Sequence, residues 1–154
     1  MKYLLMLLML ALTMTSTPAV LNQTPVMTPT NPDDFDPNGY DGAWATVSAL
    51  DVEIFLPEGW TGEDVSEDGA CYRAQSADGT TTLTITWPAG DVTGEVASAG
   101  GKEARLNRGE DGSLTIAAAL SGDRIAAFRF DRTDESALDE SFALKIVGTC
   151  TDVW

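Results

Sequence analysis

TTTLTITW, residues 80–87, alternates threonine with large apolar side chains, and this stretch decides the fold class. In a β-strand successive side chains point to opposite faces, so Leu83, Ile85 and Trp87 share one face and the threonines share the other. β-branched residues favour the pleated backbone, and one apolar plus one polar face is typical of an antiparallel sheet covered on one side. The segment therefore predicts a strand with one buried and one solvated face.

Strand-like patterns recur on both sides of this segment. Residues 51–56 alternate polar and apolar side chains and stop at a Pro-Glu-Gly turn. Residues 113–120 and 124–130 flank a Ser-Gly-Asp turn and read as a hairpin. Two weaker strand candidates cover residues 71–76 and 102–108. Together the patterns predict an antiparallel sheet of about five to seven strands.

Near the C-terminus the spacing between apolar side chains changes from two residues to about four, which predicts an amphipathic helix over residues 134–147. The apolar side chains that recur every four residues there are Leu138, Phe142 and Ile146. Thr133 or Asp134 can cap the start of this helix, and Gly148 ends it.

Residues 92–99 could form a second, short helix that ends at Gly100 and Gly101. The chain is then predicted to be α+β, with an antiparallel sheet packed by the C-terminal amphipathic helix. The globular domain is expected to cover residues 43–154.

Residues 1–19 have the organisation of a secretory signal peptide. Lys2 supplies the positive charge, residues 4–12 form an apolar run, and Thr17 and Ala19 are small residues suited to a cleavage site. The run is shorter than the roughly 20 residues that a membrane-spanning helix needs. A short membrane anchor and a buried N-terminal helix are the alternatives. We expect an exported protein, secreted or associated with the cell envelope, with no integral membrane span after processing.

Residues 20–42 are predicted to be a disordered linker. This segment holds four of the seven prolines, interleaved with Thr, Asn and Asp: Pro25, Pro29, Pro32 and Pro37. It cannot bury enough apolar surface to offset the entropy of ordering, and its prolines favour extended, semi-rigid backbone. It is therefore expected to be a tether that the domain does not need in order to fold.

Composition excludes several chemistries. The chain has no His and two Cys, and 24 acidic against 9 basic side chains give a net charge of −15. Without His there is no imidazole base or ligand, and two Cys cannot build a four-thiolate metal site. Phosphate binding requires a basic face, so we expect no nucleic-acid partner. The charge is uneven, because residues 33–91 carry 13 acidic side chains and one basic side chain, a net charge of −12.

Several turn and strand motifs follow one another along residues 56–85. They are Leu56-Pro57-Glu58-Gly59-Trp60, Asp68-Gly69, Tyr72-Arg73-Ala74, Ala77-Asp78-Gly79 and Leu83-Thr84-Ile85, followed by the late amphipathic helix. This order resembles the small secreted bacterial proteins of PsbP-like α/β/α-sandwich type over most of residues 44–150. Members of that superfamily include photosystem II extrinsic subunits and a Ran-binding protein. The resemblance implies a scaffold suited to protein interaction rather than a particular reaction.

A calcium loop is the weak metal candidate. Asp34, Asp36 and Asn38 occupy positions 1, 3 and 5 of such a loop, and Gly39 occupies position 6. Position 12 is Ala45, where a bidentate carboxylate is required. Asp-Pro and Asn-Gly are also ordinary turn dipeptides, so a plain turn is the alternative.

Paired carboxylates are the only pattern with catalytic potential. Glu135 and Asp139 lie four residues apart on the predicted helix, beside Glu140. Two carboxylates held about 5–10 Å apart can hydrolyse a glycosidic bond. On the polar side of an amphipathic helix, acidic side chains are more often simply solvated. The chain also lacks a Gly-x-Ser-x-Gly motif and a phosphate-binding loop, so no catalytic residue is assigned.

Four tryptophans raise the question of a sugar- or peptide-binding face. Trp87 continues the apolar face of a strand and Trp60 follows a turn, so both are expected to close the core. Trp44 and Trp154 lie at the two ends of the domain and are the candidate binding aromatics.

Cys71 and Cys150 are the only cysteines, and both lie in the domain expected to be exported. Oxidising compartments favour disulfides, so the two are predicted to form one. Two separate buried thiols are the alternative.

These observations favour a secreted, acidic, non-catalytic binding or interaction module, expected to be a monomer without a cofactor. Its ligand could be a protein or a small molecule, and the sequence does not distinguish the two. The alternative is an extracellular hydrolase that depends on carboxylates whose site the sequence does not identify.

Overall fold

The computed structural model describes residues 40–134 and 136–153, in which the chain forms ten β-strands and one α-helix. In chain order they are β1 (Gly42–Val47), β2 (Val52–Pro57), β3 (Thr61–Glu67), β4 (Ala70–Gln75), β5 (Thr81–Thr86), β6 (Glu95–Ala99), β7 (Lys102–Arg108), β8 (Leu114–Ala119), β9 (Ile125–Arg132), α1 (Glu140–Gly148) and β10 (Thr151–Asp152). The signal-peptide prediction and most of the linker prediction lie outside these residues. Within them, no helix has the length and apolarity to cross a bilayer.

The strands form two antiparallel sheets. The large sheet has seven strands in the order β3-β4-β5-β9-β8-β7-β6, and the small sheet has three in the order β1-β2-β10. Helix α1 contacts β6 and β8 of the large sheet and β2 of the small sheet. The predicted α+β class agrees with this mostly antiparallel structure and its C-terminal helix, although the described residues contain more strands than expected.

The segment that decided the fold class forms β5, near the middle of the large sheet. Leu83 and Ile85 are completely buried and lie opposite Phe130 and Phe128 of β9. The threonines between them are partly exposed on the other face. One face of the large sheet therefore builds the core and the other meets solvent, as the alternation predicted.

The weaker strand candidates at 71–76 and 102–108 are confirmed as β4 and β7, but the short helix predicted over 92–99 is wrong. Residues Glu95–Ala99 form the edge strand β6, which pairs with β7. Gly100 and Gly101 have positive φ values of 57° and 77° and make the hairpin turn between the two strands. Because this turn places β6 alongside β7, cross-strand hydrogen bonds replace those of a helix.

The C-terminal helix is confirmed, but its predicted start at residue 133 or 134 is wrong. Helix α1 begins at Glu140, and Asp139 is its N-cap, accepting a hydrogen bond from the Phe142 backbone N–H at 3.1 Å. Asp134 has another partner: Arg132 donates to its two carboxylate oxygens at 2.7 Å each. This forked ion pair holds Asp134 beside the end of β9, so the cap falls further along the chain.

Charged side chains fasten both ends of α1 to the large sheet. At the C-terminal end, the Lys102 ammonium donates to the carbonyl oxygens of Gly148 at 3.1 Å and Cys150 at 2.5 Å. At the N-terminal end, Arg108 donates to both carboxylate oxygens of Glu140. A cation at the C-terminus and an anion at the N-terminus match the helix dipole, so both contacts stabilise the helix where it lies.

The small sheet carries the start of the described chain. Strand β1 runs antiparallel to β2, from Gly42 opposite Pro57 to Val47 opposite Val52. Tyr40, which lies in the segment predicted to be a linker, packs between two rings. Its centroid lies 5.4 Å from that of Phe55 in β2 and 5.3 Å from that of Phe142 in α1. The packing of the domain therefore reaches back to residue 40.

Candidate aromatic groove between the two sheets

An aromatic groove of about 250 Å³ lies where β1 of the small sheet meets β3 and β4 of the large sheet. Its walls come from β1, the end of β2, the turn that follows β2, and the first strands of the large sheet. The lining residues that define this groove are Trp44, Trp60, Tyr72, Gly42, Gly62 and Glu58. We call it the Trp44–Trp60 groove.

Trp44 forms one wall and is half exposed. It lies on the edge strand β1 directly opposite Phe55, and the two rings meet edge to face, 5.3 Å apart at 69°. Phe55 is buried, so it provides a fixed support for the indole. An aromatic ring that is held from behind and is 49% exposed in front offers a preorganised apolar contact surface.

Trp60 reaches the groove from the turn between β2 and β3. Its backbone N–H donates to the Pro57 carbonyl at 3.1 Å, which closes the turn. Gly59 has a φ of 78°, a conformation that side chains other than glycine rarely adopt. The Pro-Glu-Gly turn predicted from the sequence thus directs the indole of Trp60 toward the groove. Its side chain also packs against the edge of the core, in agreement with the expectation that it would help to close it.

Tyr72 of β4 supplies a buried ring with a polar tip. A Cβ atom added at Gly62 would collide with the Tyr72 hydroxyl, so the absence of a side chain at Gly62 makes room for it. Burial, and to a smaller extent the charge of Asp64, raises the pKa of Tyr72. The hydroxyl therefore stays protonated and can donate a hydrogen bond at any physiological pH.

The polar atoms of the three aromatic residues are unpaired within residues 40–134 and 136–153. Neither the indole N–H groups of Trp44 and Trp60 nor the Tyr72 hydroxyl forms a hydrogen bond there. Every buried nitrogen or oxygen in the less exposed side chains of this part of the chain has a partner, so the Trp60 N–H and the Tyr72 hydroxyl reach solvent, and Trp44 is itself half exposed. The groove thus combines apolar ring surface with three available hydrogen-bond donors.

The surroundings of the groove are strongly acidic. Glu58 lines it and Glu63 follows Gly62 on β3, and residues 40–91 carry ten acidic side chains and one basic side chain. Asp64 accepts hydrogen bonds from the Ser48 backbone N–H at 3.1 Å and from its hydroxyl at 2.5 Å, which joins the small sheet to β3. The two walls are therefore held together, and the field at the rim favours cations.

Two larger depressions lie on the solvent face of the large sheet, and in each of them the arginine is already paired with a carboxylate. In the depression around Asp111, that carboxylate accepts hydrogen bonds from the Ser113 hydroxyl at 2.6 Å and from Arg129 at 2.8 Å. In the depression around Gln75, Arg73 pairs with Glu67 at 3.6 Å. None of the described residues that line these two depressions is aromatic, so we place the candidate site in the Trp44–Trp60 groove.

The helix carboxylates are engaged in structural contacts. Asp139 caps α1, and Glu140 pairs with Arg108, which holds the pKa of Glu140 below its ordinary value. Glu135 lies outside the described residues. The described residues therefore give no observation in favour of the hydrolase alternative.

Both cysteines are buried free thiols in the structure. Cys71 donates a weak hydrogen bond to the Ile85 carbonyl at 3.4 Å. Burial raises the pKa of Cys150 to about 12, and the nearby Cys71 contributes to that rise. The predicted disulfide is not formed in the structure and stays a prediction for the exported protein.

The remaining sequence candidates have mixed outcomes. Trp87, expected to close the core, is 38% exposed, because pairing between β5 and β9 ends one residue earlier, at Thr86. Trp154 and the calcium candidates Asp34, Asp36 and Asn38 lie outside the described residues. Within residues 40–134 and 136–153, no group of three acidic or Cys side chains is placed to hold a metal ion.

Trp44 was predicted from the sequence as a binding aromatic, whereas Tyr72 and the opening beside it were not. The available signal was weak: two glycines, Gly59 and Gly62, flank Trp60 and Thr61. Their meaning depends on the pairing of β3 with β4, which brings Gly62 opposite Ala74 and close to the Tyr72 ring.

No protein-family model matches the chain, no curated protein is significantly similar to its sequence, and no solved structure is significantly similar to its fold. Function must therefore be inferred from the geometry and chemistry of the groove.

Proposed function

We propose that this chain is a secreted, acidic, non-catalytic binding module and that the Trp44–Trp60 groove is its ligand site. The observation that carries the proposal is the half-exposed Trp44 ring, supported by buried Phe55 and facing a groove with unpaired donors. Rigid, partly exposed aromatic rings are the usual anchors of protein recognition sites.

The sequence adds three supporting arguments. Residues 1–19 read as a secretory signal, and the part of the predicted linker that precedes Tyr40 reads as a tether that would hold the domain away from its neighbours. The motif order resembles PsbP-like proteins, a superfamily that includes protein-binding members and many secreted proteins, and we propose that the α+β fold is of this type. A monomer is the expected state.

Binding to arrayed peptides and oligosaccharides tests the proposal. We expect the chain to retain one class of probe, and we expect Trp44→Ala to lose that binding by at least tenfold. Trp87→Ala is the matched control, since it removes an exposed tryptophan that lies outside the groove. If Trp44→Ala and Trp87→Ala bind every probe as well as the unmodified chain does, the groove is not the ligand site. Thermal melting of both variants checks that they fold.

A further inference from the structure

We propose that the ligand of the Trp44–Trp60 groove is an extended, proline-rich peptide that carries Lys or Arg side chains. The proposal rests on the binding function proposed above and adds the chemical class of the ligand. Three properties of the groove support it: its hydrogen-bonding groups, its surface shape and its charge.

The hydrogen-bonding groups of the groove complement a peptide backbone in which prolines remove donors and leave carbonyl acceptors. The indole N–H groups of Trp44 and Trp60 can donate but cannot accept, and the Tyr72 hydroxyl can donate. A polyproline II segment has free backbone carbonyls, and each of its prolines lacks an N–H group. A sugar would present many hydroxyl donors, but among the described residues Glu58 is the one carboxylate that lines the groove. The groove therefore matches a proline-rich backbone better than a glycan.

The shape of the groove also fits a polyproline helix. Trp44 and Trp60 provide two ring surfaces, and pyrrolidine rings pack against aromatic surfaces in known proline-rich complexes. Gly42 and Gly62 line the groove without side chains, and neither position has room for one, because an added Cβ atom would collide with the Leu56 carbonyl or the Tyr72 hydroxyl. A polyproline segment is already extended when free, so it loses little conformational entropy on binding.

The charge of the groove selects among proline-rich sequences. Acidic side chains outnumber basic ones ten to one over residues 40–91, so Lys or Arg in the ligand would be attracted to the rim. The chain's own proline-rich segment is acidic, like the groove, and so has the opposite charge to the proposed ligand. Residues 20–39 contain Asp33, Asp34 and Asp36 and no basic side chain. The occupant is therefore a basic segment of another protein, and the chain's own linker is repelled.

Titration with three synthetic peptides of equal length tests the proposal by tryptophan fluorescence and calorimetry. The first peptide is proline-rich and carries Arg at every third position. The second replaces each Pro of the first peptide by Ala, and the third replaces each Arg by Glu. We expect the first peptide to bind at least tenfold more tightly than either of the others. We also expect its affinity to fall as salt is raised, because exposed charges are screened.

Variants of the chain separate the three arguments. We expect Trp44→Ala to abolish binding of the first peptide. We expect Tyr72→Phe to lower the affinity for it severalfold, because this change removes one donor and keeps the ring. Trp87→Ala should bind it unchanged. Equal affinity for the proline and alanine peptides would overturn the proposal, and so would tighter binding of the Glu peptide.

Failure of this proposal and failure of the binding function give different results. If a hexasaccharide binds in a Trp44-dependent way and the Pro-Arg peptide does not, the ligand class is wrong and the binding function stands. If no peptide or oligosaccharide binding depends on Trp44, both proposals fail.

Discussion

Gly100 in the β6–β7 turn and Gly148 at the end of α1 meet backbone to backbone. A Cβ atom added at Gly100 would lie 2.6 Å from the Gly148 carbonyl oxygen, and one added at Gly148 would lie 2.7 Å from the Gly100 nitrogen. Helix and hairpin thus approach more closely than any residue with a side chain allows. This contact places Lys102, two residues after Gly100, within reach of the helix carbonyls.

Gly148→Ala is expected to destabilise the protein by about 1–3 kcal/mol, because the added methyl group must push the helix away from the hairpin. The sign of the change in stability is diagnostic, since a Gly→Ala substitution within an ordinary helix stabilises the protein by up to about 1 kcal/mol. Urea denaturation measures the free energy of unfolding. Gly90→Ala is the matched control, because nothing lies within 4 Å of the added Cβ atom there. A stabilised Gly148→Ala variant would show that the contact is not tight.

Tyr40 is expected to belong to the folded domain, so a chain that begins at Gly42 should be less stable than one that begins at Tyr40. Tyr40→Ala should cost about 1–3 kcal/mol, because it removes ring contacts with Phe55 and Phe142. Tyr40→Phe, which loses the 3.1 Å hydrogen bond to the Phe55 carbonyl, should cost less. Thermal melting compares the four chains. Identical melting of the two truncated chains would place the domain boundary after Tyr40.

Asp111 is expected to make stability fall in acid. Hydrogen bonds from Ser113, followed by the charge of Arg129, lower the pKa of Asp111 from 3.8 to about 2. Because the folded-state pKa is depressed, this contribution is fully present above pH 4 and is lost as the pH falls toward 2. We therefore expect Asp111→Asn to be less stable at pH 6, with a shallower decline between pH 4 and 2. Denaturation at several pH values measures this, with Glu110→Gln as control. Parallel pH profiles for Asp111→Asn and the unmodified chain would contradict it.

Cys71 and Cys150 are expected to form a disulfide when the protein is exported through an oxidising compartment. A bridge across this loop of about 80 residues adds up to roughly 4–5 kcal/mol in the chain-entropy model. Because burial raises the pKa of both thiols, oxidation should occur during folding, before they become inaccessible.

Intact mass spectrometry of protein recovered from outside the cell should show the loss of two hydrogen atoms. No alkylation should occur in denaturant until a reductant is added. In Cys71→Ser, Cys150 should be alkylated in denaturant without reductant. Two alkylated cysteines in the denatured, unreduced exported protein would rule out the bridge.

The parts of the fold that were predicted are those in which side-chain pattern and burial agree. Leu83 and Ile85 alternate with threonine and point into the core, so β5 could be identified from periodicity alone. Strand β3 could not, because its sequence TGEDVSE is almost entirely exposed and shows no alternation. Its extended form depends on pairing with β4, including a register shift between Asp64 and Glu67. Edge strand β6 was missed for the same reason.

The groove could be predicted only in part. The position of Trp44 near the start of the domain suggested exposure, but Trp60 and Tyr72 join it only because the β1–β2 hairpin meets the β3–β4 hairpin. The apolar alternation of β5 wrongly extended to Trp87, because the length of a strand is set by its neighbour and not by its own sequence.

The parallel placement of β1 and β10 on either side of β2 has a mechanical consequence. Strand β1 starts opposite Pro57, at one end of β2, and β10 ends opposite Val52, at the other. Tension applied between residue 40 and residue 153 therefore runs lengthwise along the small sheet. It loads the cross-strand hydrogen bonds together in shear instead of opening them one at a time. A domain held by its N-terminal tether and pulled from its C-terminal end would resist stretching along its strongest direction.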